Sequence, residues 1–584
     1  MPNDLALVFP PHWYHPFPPH ELAALAAHAR AEGKRVWALD ANMGGFLHCL
    51  APAFLARCGE RVGEPELGRS VAADAARAQE VVRDPARFYD PDLHATARDA
   101  LAAAWRLVSR AHAPTEVDLT MLRFAGDVQD LATCRARATS EAENPFYGYL
   151  RDVVVPSVIE ADARAVIVLF VHPDQLVSLV ALGVELRRAG WRRPIVVAGS
   201  LEDQVNFARL LRADRHAEYP ALAELFDAVV AFEAEPALGR LLDEGGGLAA
   251  AAPNVLRFAG DRLVRPASYQ AADMNRLATP DFGDLPASAY PFPHATVSIL
   301  GSRGCYWERC TFCAISKNQL SFRARDPRRF ADDVARLAAE RGVRWFALRD
   351  QLASPAWLRR FSADLVTRGL DVRWSCRTRF DRALRRDVLE LAHRAGCRQL
   401  WLGLESASDA ILERMDKGIR LADVARILDD CDEIGMGVHL FTMHGFPGEA
   451  DADAEATVRF VEEHADRIDS IDYIDFIWFS DTPLFTQRAG SGAPPLDDDG
   501  RRVFHYRFEH RTPAERRGQH AHAVELHARI ERAVPMPLVH QTHVQMFVDH
   551  HGTRGWRALR GRMAHAPTPC CELASGGSTR GPVA

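Results

Sequence analysis

Apolar residues fall along this chain in short runs, separated by longer stretches whose apolar positions recur every three to four residues. That alternation predicts buried strands crossed by amphipathic helices, and hence parallel sheets covered by helices. Leu5–Phe9 opens the pattern as a strand closed by Pro10-Pro11. A helix over 21–32 follows, stopped by Gly33, and a strand over 35–39 completes a right-handed strand–helix–strand unit. From about 45 to 160 the strands cease and helices take over, Pro91–Ala111 among them. The alternation then resumes with strands over 165–171, 194–198 and 226–232 and a helix over 174–189. The prediction is an α/β, doubly wound, Rossmann-like sheet interrupted by a helical insertion. Such sheets bind ligands at the carboxyl ends of their strands.

A second unit follows. The glycines and alanines of 244–253 read as a flexible link, and 254–290 as a turn-rich connector. Strands are expected over 295–300, 343–348, 372–376, 399–404, 438–443 and 471–479, with helices between them. Asp326-Pro327 and Ser354-Pro355 each supply an N-cap and a proline at the first helical position. Six strands in this order suggest a partial (β/α)6 barrel of the TIM type, with chemistry at the carboxyl ends. After Asp481-Thr482-Pro483 the chain reads as helical over 513–530 and 552–563. It ends in a Gly/Ser-rich tail expected to be disordered, where Cys570-Cys571 are free thiols or part of a lid over the barrel. The expected units are 1–265, 290–490 and 491–584.

Composition narrows the classes. The 584 residues have a formal net charge of −7, 48% hydrophobic and 26% charged residues, which describes a soluble globular protein. Nothing is basic enough to argue for nucleic acid. Lysine occurs only at 34, 317 and 417, a bias read as codon usage. Scattered cysteines and the lack of an export signal or an 18-residue apolar run point to a reducing cytoplasm and no membrane span.

The one dense chemical signal is Gly301-Ser302-Arg303-Gly304-Cys305-Tyr306-Trp307-Glu308-Arg309-Cys310-Thr311-Phe312-Cys313. Three thiols spaced x4 then x2 suit soft metals. A plant-type [2Fe–2S] site needs a fourth cysteine, and the next one is Cys376, beyond a predicted helix and strand. Structural zinc wants four ligands, and no paired partner lies nearby. A [4Fe–4S] cluster with one iron open to an outside ligand fits best.

Strand, Ser-Arg-Gly-Cys, three thiols and an aromatic before the last one resemble the cluster loop of radical S-adenosylmethionine (SAM) enzymes, with one extra residue in the first gap. The wording from Gly304 to Cys313 resembles the branch carrying a cobalamin-binding-type domain in front. Leu7-Val8-Phe9-Pro10-Pro11, Asn144-Pro145-Phe146, Asp174-Gln175-Leu176 and Ala198-Gly199-Ser200 occupy the places that this branch leads one to expect. The resemblance implies that Pro10, Pro11, Gly199 and Ser200 border a corrin. The D-x-H-x-x-G fingerprint of histidine-ligated cobalamin is absent after the first strand, where Pro10-Pro11-His12-Trp13-Tyr14-His15-Pro16 reads as a rigid wall.

The barrel strand ends extend the resemblance. Gly403-Leu404-Glu405-Ser406 and His444-Gly445-Phe446-Pro447-Gly448-Glu449 are similar to SAM-binding signatures of the superfamily. By that resemblance Cys305, Cys310 and Cys313 hold the cluster and SAM chelates its open iron. Phe312 packs near the adenine, Glu405 and Ser406 near the ribose, Asp350 near the methionine amine, and Arg377 pairs with its carboxylate. Gly445 and Pro447, after the fifth strand, border the cofactor as well. Plainer roles stand beside these: Glu405 capping the next helix, Arg377 in a surface ion pair, His444 as a structural histidine rather than a contact to SAM or substrate. Arg303, Arg309, Arg323, Arg325, Arg328 and Arg329 read as a solvated face, or as a dock for an acidic electron donor such as flavodoxin or ferredoxin.

The resemblance implies a cobalamin-dependent radical SAM methyltransferase. A 5′-deoxyadenosyl radical takes a hydrogen from a small-molecule or peptide substrate, and methylcobalamin supplies the methyl group. A radical SAM enzyme of another reaction type (cyclisation, epimerisation) and a non-catalytic iron–sulfur sensor are the rival classes.

Overall fold

The computed structural model describes residues 2–15, 17–199, 207–211, 214–315, 321–476, 478, 482–487, 502–504 and 513–564. Two sheets carry the chain. The first sets seven strands in the spatial order Val36–Asp40, Leu5–Phe9, Ala165–Leu169, Ile195–Ala198, Ala228–Val230, Val255–Ala259 and Arg262–Val264. The first five are parallel. Leu5–Phe9 and Ala165–Leu169 are buried at every position, which is why their sequences run apolar without alternation. The order reverses between these two strands, and the crevice above that switch point is where an open α/β sheet takes a ligand.

The last two strands pair antiparallel and lengthen the sheet. They correct the expectation of a connector after 254. The presumed flexible link before them is tied down as well. Asp243 accepts from Gly247 N at 2.9 Å, and Arg164 reaches the carbonyls of Asp243 and Glu244. The glycines there make a turn rather than a tether.

The helical insertion leaves from the carboxyl end of Val36–Asp40. Asp40 caps Ala41–Cys49, Asp84 caps Pro85–Phe88 and Asp90 caps Pro91–Ala111. The aspartates satisfy free helical N–H groups, and in the last two helices proline fills the position that needs no donor. Within the insertion, Glu116–Val117 and Leu122–Arg123 form a short hairpin.

The second sheet is a half-barrel of six parallel strands, Thr296–Ile299, Trp345–Leu348, Arg373–Thr378, Cys397–Glu405, Gly437–His444 and Ser470–Asp475. The last strand stops at Asp475, short of the expected 479. Residues 477 and 479 lie outside the described residues, as do Ser200, Cys570 and Cys571.

Helix Thr542–Met563, broken in φ/ψ at Gly552, starts ten residues before the expected helix. It covers the amino ends of the barrel strands. Asp549 meets Arg373 at 3.1 Å and also Arg398, Trp556 Nε1 donates to Asp469 O at 3.0 Å, and Arg557 pairs with Asp469 at 2.9 Å. This helix closes the end opposite the thiol loop. Among the described residues no helix is long and apolar enough to cross a membrane.

The carboxyl ends of the two sheets touch. His15, in the loop after the first strand, accepts from Arg349 at the end of the second barrel strand, at 2.5 Å. Glu233 and Glu235, just past Ala228–Val230, pair with Arg303 just past the first barrel strand.

Candidate active site

The thiol loop rises from a two-residue antiparallel ribbon, Ser302–Arg303 with Arg323–Ala324. Gly304 sits at φ +80°, and a Cβ there would stand 3.1 Å from Phe322 Cα, so a side chain would be both strained and crowded. Glu308 adopts φ +54° and its carboxylate accepts from Phe322 N at 3.2 Å. That left-handed residue lies in the four-residue gap between the first two cysteines. Trp307 is thereby turned onto the segment after the fourth barrel strand, where Nε1 donates to Asp416 O at 2.8 Å. Its ring lies on Gly418 at φ +65° and carries the Arg379 guanidinium at 4.1 Å. Thr311 N donates to Met415 O, and Cys313 N to Cys310 O. The loop is therefore held from below by its ribbon and from the side by 415–418.

Burial raises the Cys310 thiol pKa, and takes Cys313 to about 12, with the neighbouring cysteines adding to both shifts. Lys417 and Arg379 act in the opposite sense on Cys310. Cys376 is not available as a fourth ligand. It is buried and paired with Cys397, which together with burial raises its pKa. Among the described residues no three His, Cys, Asp or Glu side chains surround one metal ion.

Glu405 has φ +68° and bonds Lys417 Nζ at 2.6 Å, so it does not cap the following helix Asp409–Arg414, which starts at Ser408 without a side-chain cap. Burial opposes the charge of Lys417, but Glu405 and Cys310 outweigh it and raise its pKa. Arg377 is not on the surface. It is half-buried, its guanidinium 5.8 Å from the Trp401 ring and 5.8 Å from the Phe441 ring, which are themselves in contact. Phe312 meets Phe446 edge-on at 6.3 Å beside Ile411, Met415 and Met443, an apolar wall next to the thiols. Gly445 at φ +81° and Pro447 make the turn after the fifth barrel strand, with Glu449 accepting from Gly445 N.

Three of the expected contact residues have protein partners of their own. Ser406 is fully buried against Thr457 Oγ1 at 3.3 Å, so its hydroxyl serves the helix layer. Asp350 is buried and accepts from Gly301 N at 3.0 Å, fixing the start of the thiol loop; burial pushes its pKa up to about 6. His444 pairs with Asp475 at 3.2 Å and packs by Tyr473 and His522.

A family model described as the radical SAM superfamily matches residues 299–461. This stretch is a radical SAM domain. Along 41% of the chain, 28% of residues are identical to an anaerobic magnesium-protoporphyrin IX monomethyl ester cyclase of Rubrivivax gelatinosus, over 45% of that protein. A bacteriochlorophyllide d C-12(1)-methyltransferase of Chlorobaculum tepidum is 26% identical over 41% of this chain and 54% of its own length. The chain thus spans about half the length of these curated relatives. Among solved structures, the radical SAM methyltransferase TsrM from Kitasatospora setae, with tryptophan and a SAM analogue bound, superposes with TM-score 0.60 over 96% of this chain and 98% of its own, at 16% identity. The cobalamin-dependent radical SAM enzyme OxsB with aqua-cobalamin bound gives 0.56 over 90% and 66%, at 12% identity. At such identities the likeness is one of fold, and it runs through both sheets.

The residues present fit what a radical SAM domain carries, a [4Fe–4S] cluster and SAM. Three free thiols share one loop, cations stand beside them, and an apolar wall adjoins them.

The first sheet's carboxyl edge is closely built. Gln175 accepts from Val171 N and His172 N and donates to Pro10 O at 2.7 Å, lacing the two switch-point strands together. Gly199 has φ +121°, and a Cβ there would stand 2.7 Å from Phe170 O. Pro10 and Pro11 are buried in the wall. His12 is fully buried, with Nε2 donating to Asp118 O at 2.9 Å.

The arginine cluster around the radical SAM loop is not an open face. Arg303 and Arg325 are buried, and Arg325 and Arg329 share Asp333. Arg323 holds Glu233 and Arg309 holds Asp416, and of the six Arg309 and Arg328 are mostly exposed.

Sequence reading missed Lys417 as a working residue, yet its rarity was a usable signal. In a chain that uses arginine almost everywhere, a lysine in Met415-Asp416-Lys417-Gly418, after the fourth barrel strand, supplies a compact charge that arginine does not. Glu233, Glu235 and the contact of His15 with Arg349 carried no local pattern.

Proposed function

We propose that this protein is a cobalamin-dependent radical SAM enzyme that methylates an unactivated carbon of a small-molecule or peptide substrate. The observation that carries the reading is the meeting of two ligand-binding edges. The crevice of a doubly wound sheet and the mouth of a radical SAM half-barrel are joined through His15 with Arg349 and Arg303 with Glu233 and Glu235. A substrate between them reaches both. The units of the reading are 1–265 for the corrin, 290–490 for the cluster and SAM, and 491–584 as a helical region whose last helix closes the barrel.

When bound, the cluster and SAM supply the radical, and cobalamin supplies the methyl group. The chain's own groups hold, orient and shield. Cys305, Cys310 and Cys313 ligate; Glu405 with Lys417 and Arg377 present one negative and two positive groups to the polar parts of SAM; the Phe312–Phe446 wall excludes water from an adenine. Pro10, Pro11 and Gly199 let a flat macrocycle approach the sheet backbone. His15 cannot serve as a cobalt ligand through Nε2, because a guanidinium only donates and that lone pair is taken. Burial, with Arg349 beside it, holds its pKa well below the ordinary value.

Anaerobic reconstitution tests the reading. The wild-type chain should hold about four irons and sulfides, and the variant with alanine at 305, 310 and 313 should hold none. It should also take up cobalamin whose cob(II)alamin paramagnetic resonance spectrum lacks nitrogen superhyperfine splitting. Splitting abolished by His12→Ala or His15→Ala would show ligation and overturn that part. A chain that takes up no corrin sinks the methyltransferase reading.

A further inference from the structure

The base of the thiol loop is gripped from outside the barrel. Arg303 and Arg323 are register partners in the ribbon from which the loop rises. Both reach acids of the first sheet. Arg303 Nη1 lies 3.0 Å from Glu233 Oε2 and 3.3 Å from Glu235 Oε2, and its Nη2 lies 2.5 Å from Glu235 Oε1. Arg323 pairs with Glu233. Arg303, Glu233 and Glu235 are at most 3% exposed, and Glu235 lies 68 residues from Arg303 in sequence. The acids themselves are fixed. Ala272 N donates to Glu233 Oε2 at 2.6 Å, Asn254 Nδ2 donates to Glu233 O at 2.8 Å, and Glu235 opens the short helix Glu235–Leu238.

Two arginines facing two carboxylates balance in charge. A buried forked pair of this kind is a poor source of net stability, since desolvation offsets most of the attraction, but its bidentate geometry specifies position. Arg303 stands two residues before Cys305. Whatever sets the arginine sets the height and tilt of the first thiol. Metal sites depend in the same way on groups that touch only the ligands' supports.

We propose that Glu233 and Glu235 are positioning residues of the cluster site, through which the corrin-side sheet seats the thiol loop by way of Arg303 and Arg323. The site is then shared between the two sheets, and the barrel's thiols are held at a fixed place relative to the sheet edge. The proposal rests on the cluster reading above.

The test uses the full chain, reconstituted with iron and sulfide, in three forms beside the wild type. Glu235→Gln leaves Arg303 short of one carboxylate. Arg303→Met/Glu235→Leu removes the pair and leaves no charge of its own unpaired. Asp549→Ala cuts a comparable ion pair at the far end of the barrel. Each is read by thermal melting, by iron retained against a chelator, and by the paramagnetic resonance spectrum of the reduced cluster with and without SAM.

Both Arg303 pair variants should hold iron about tenfold less tightly and show a displaced spectrum, including the double variant that recovers its melting temperature. Asp549→Ala should melt lower with an unchanged spectrum. A double variant with wild-type retention and spectrum shows that the pair only balances charge, and overturns the proposal. A displaced spectrum in Asp549→Ala overturns it too, because general destabilisation then accounts for the effect. If Glu235→Gln fails to fold, the double variant decides alone. A wild-type chain that takes up no iron refutes the cluster reading itself, which is a different result from a native cluster indifferent to the pair.

Discussion

At the scale of single residues, the thiol loop depends on positions that carry no thiol. Gly418 is at φ +65° and a Cβ there would run into the Trp307 ring. Gly418→Ala should cost about 1 kcal/mol from backbone conformation, with more from expelling the indole. Trp307 emission should shift to the red, and iron uptake should fall. A native emission spectrum with full iron would show that the contact does not matter. Glu405 and Lys417 make the next test. Glu405→Gln should weaken SAM binding in a calorimetric titration while iron content stays the same. Equal SAM affinity in the variant would assign Glu405 to holding Lys417 alone. Part of this was legible and part was not. The cysteines and Glu405 announce themselves because the wording around them is local, whereas Gly418 is fixed by the distant Trp307. Ser406 and His444 sit in equally suggestive wording, yet Thr457 and Asp475 claim their side chains, and no pattern in the one-dimensional chain names those partners.

At the scale of elements, local physics carried most of the fold. Leu5–Phe9 and Pro91–Ala111 stand where apolar runs, aspartate caps and first-turn prolines put them. What escaped were elements whose pairing is their only cause. Ser302–Arg303 with Arg323–Ala324 has two residues a side and no alternation to detect. Val255–Ala259 and the edge strand Arg262–Val264 are partly exposed at the end of the sheet, so their composition resembles a connector. Helix Thr542–Met563 was seen only beyond Gly552, whose φ of 72° interrupts its first part. That helix invites a prediction of its own. Asp549 bonds both Arg373 and Arg398, at the amino ends of two strands. Asp549→Ala should lower stability by about 2 kcal/mol, as expected for losing hydrogen bonds between charged partners. Urea unfolding with an unchanged slope would confirm it, and an unchanged midpoint would not.

At the scale of the whole molecule, buried histidines set the response to acid. Burial lowers His20 and His540 to about 3 and His94 and His112 to about 4. The unfolded chain takes up these protons near pH 6.5, whereas the native state refuses them until far lower pH. Their contribution is therefore intact above about pH 6.5 and lost as pH falls, each adding about 1.4 kcal/mol of slope per pH unit. Asp40 and Asp350, raised to about 6 by burial, act the other way. They favour the native state at low pH, and lose that effect as pH rises from the ordinary carboxylate value to about 6. Four histidines against two aspartates leave a net loss on acidification. The melting temperature should fall steadily from about pH 7 to about pH 5, and His94→Gln should flatten the fall. A flat profile in the wild type would count against neutral burial. The helix that seals the barrel also bears on biogenesis. Residues 542–563 are synthesised after every strand they cover, and Leu5 finds its partner Ala165 only when the helical insertion between them has been made. Contacts of such high sequence separation slow folding and leave apolar strand ends uncovered on the ribosome. Slow translation in the cold, or a chaperone that shelters the open half-barrel, should raise the yield of soluble chain more than any change at the thiol loop.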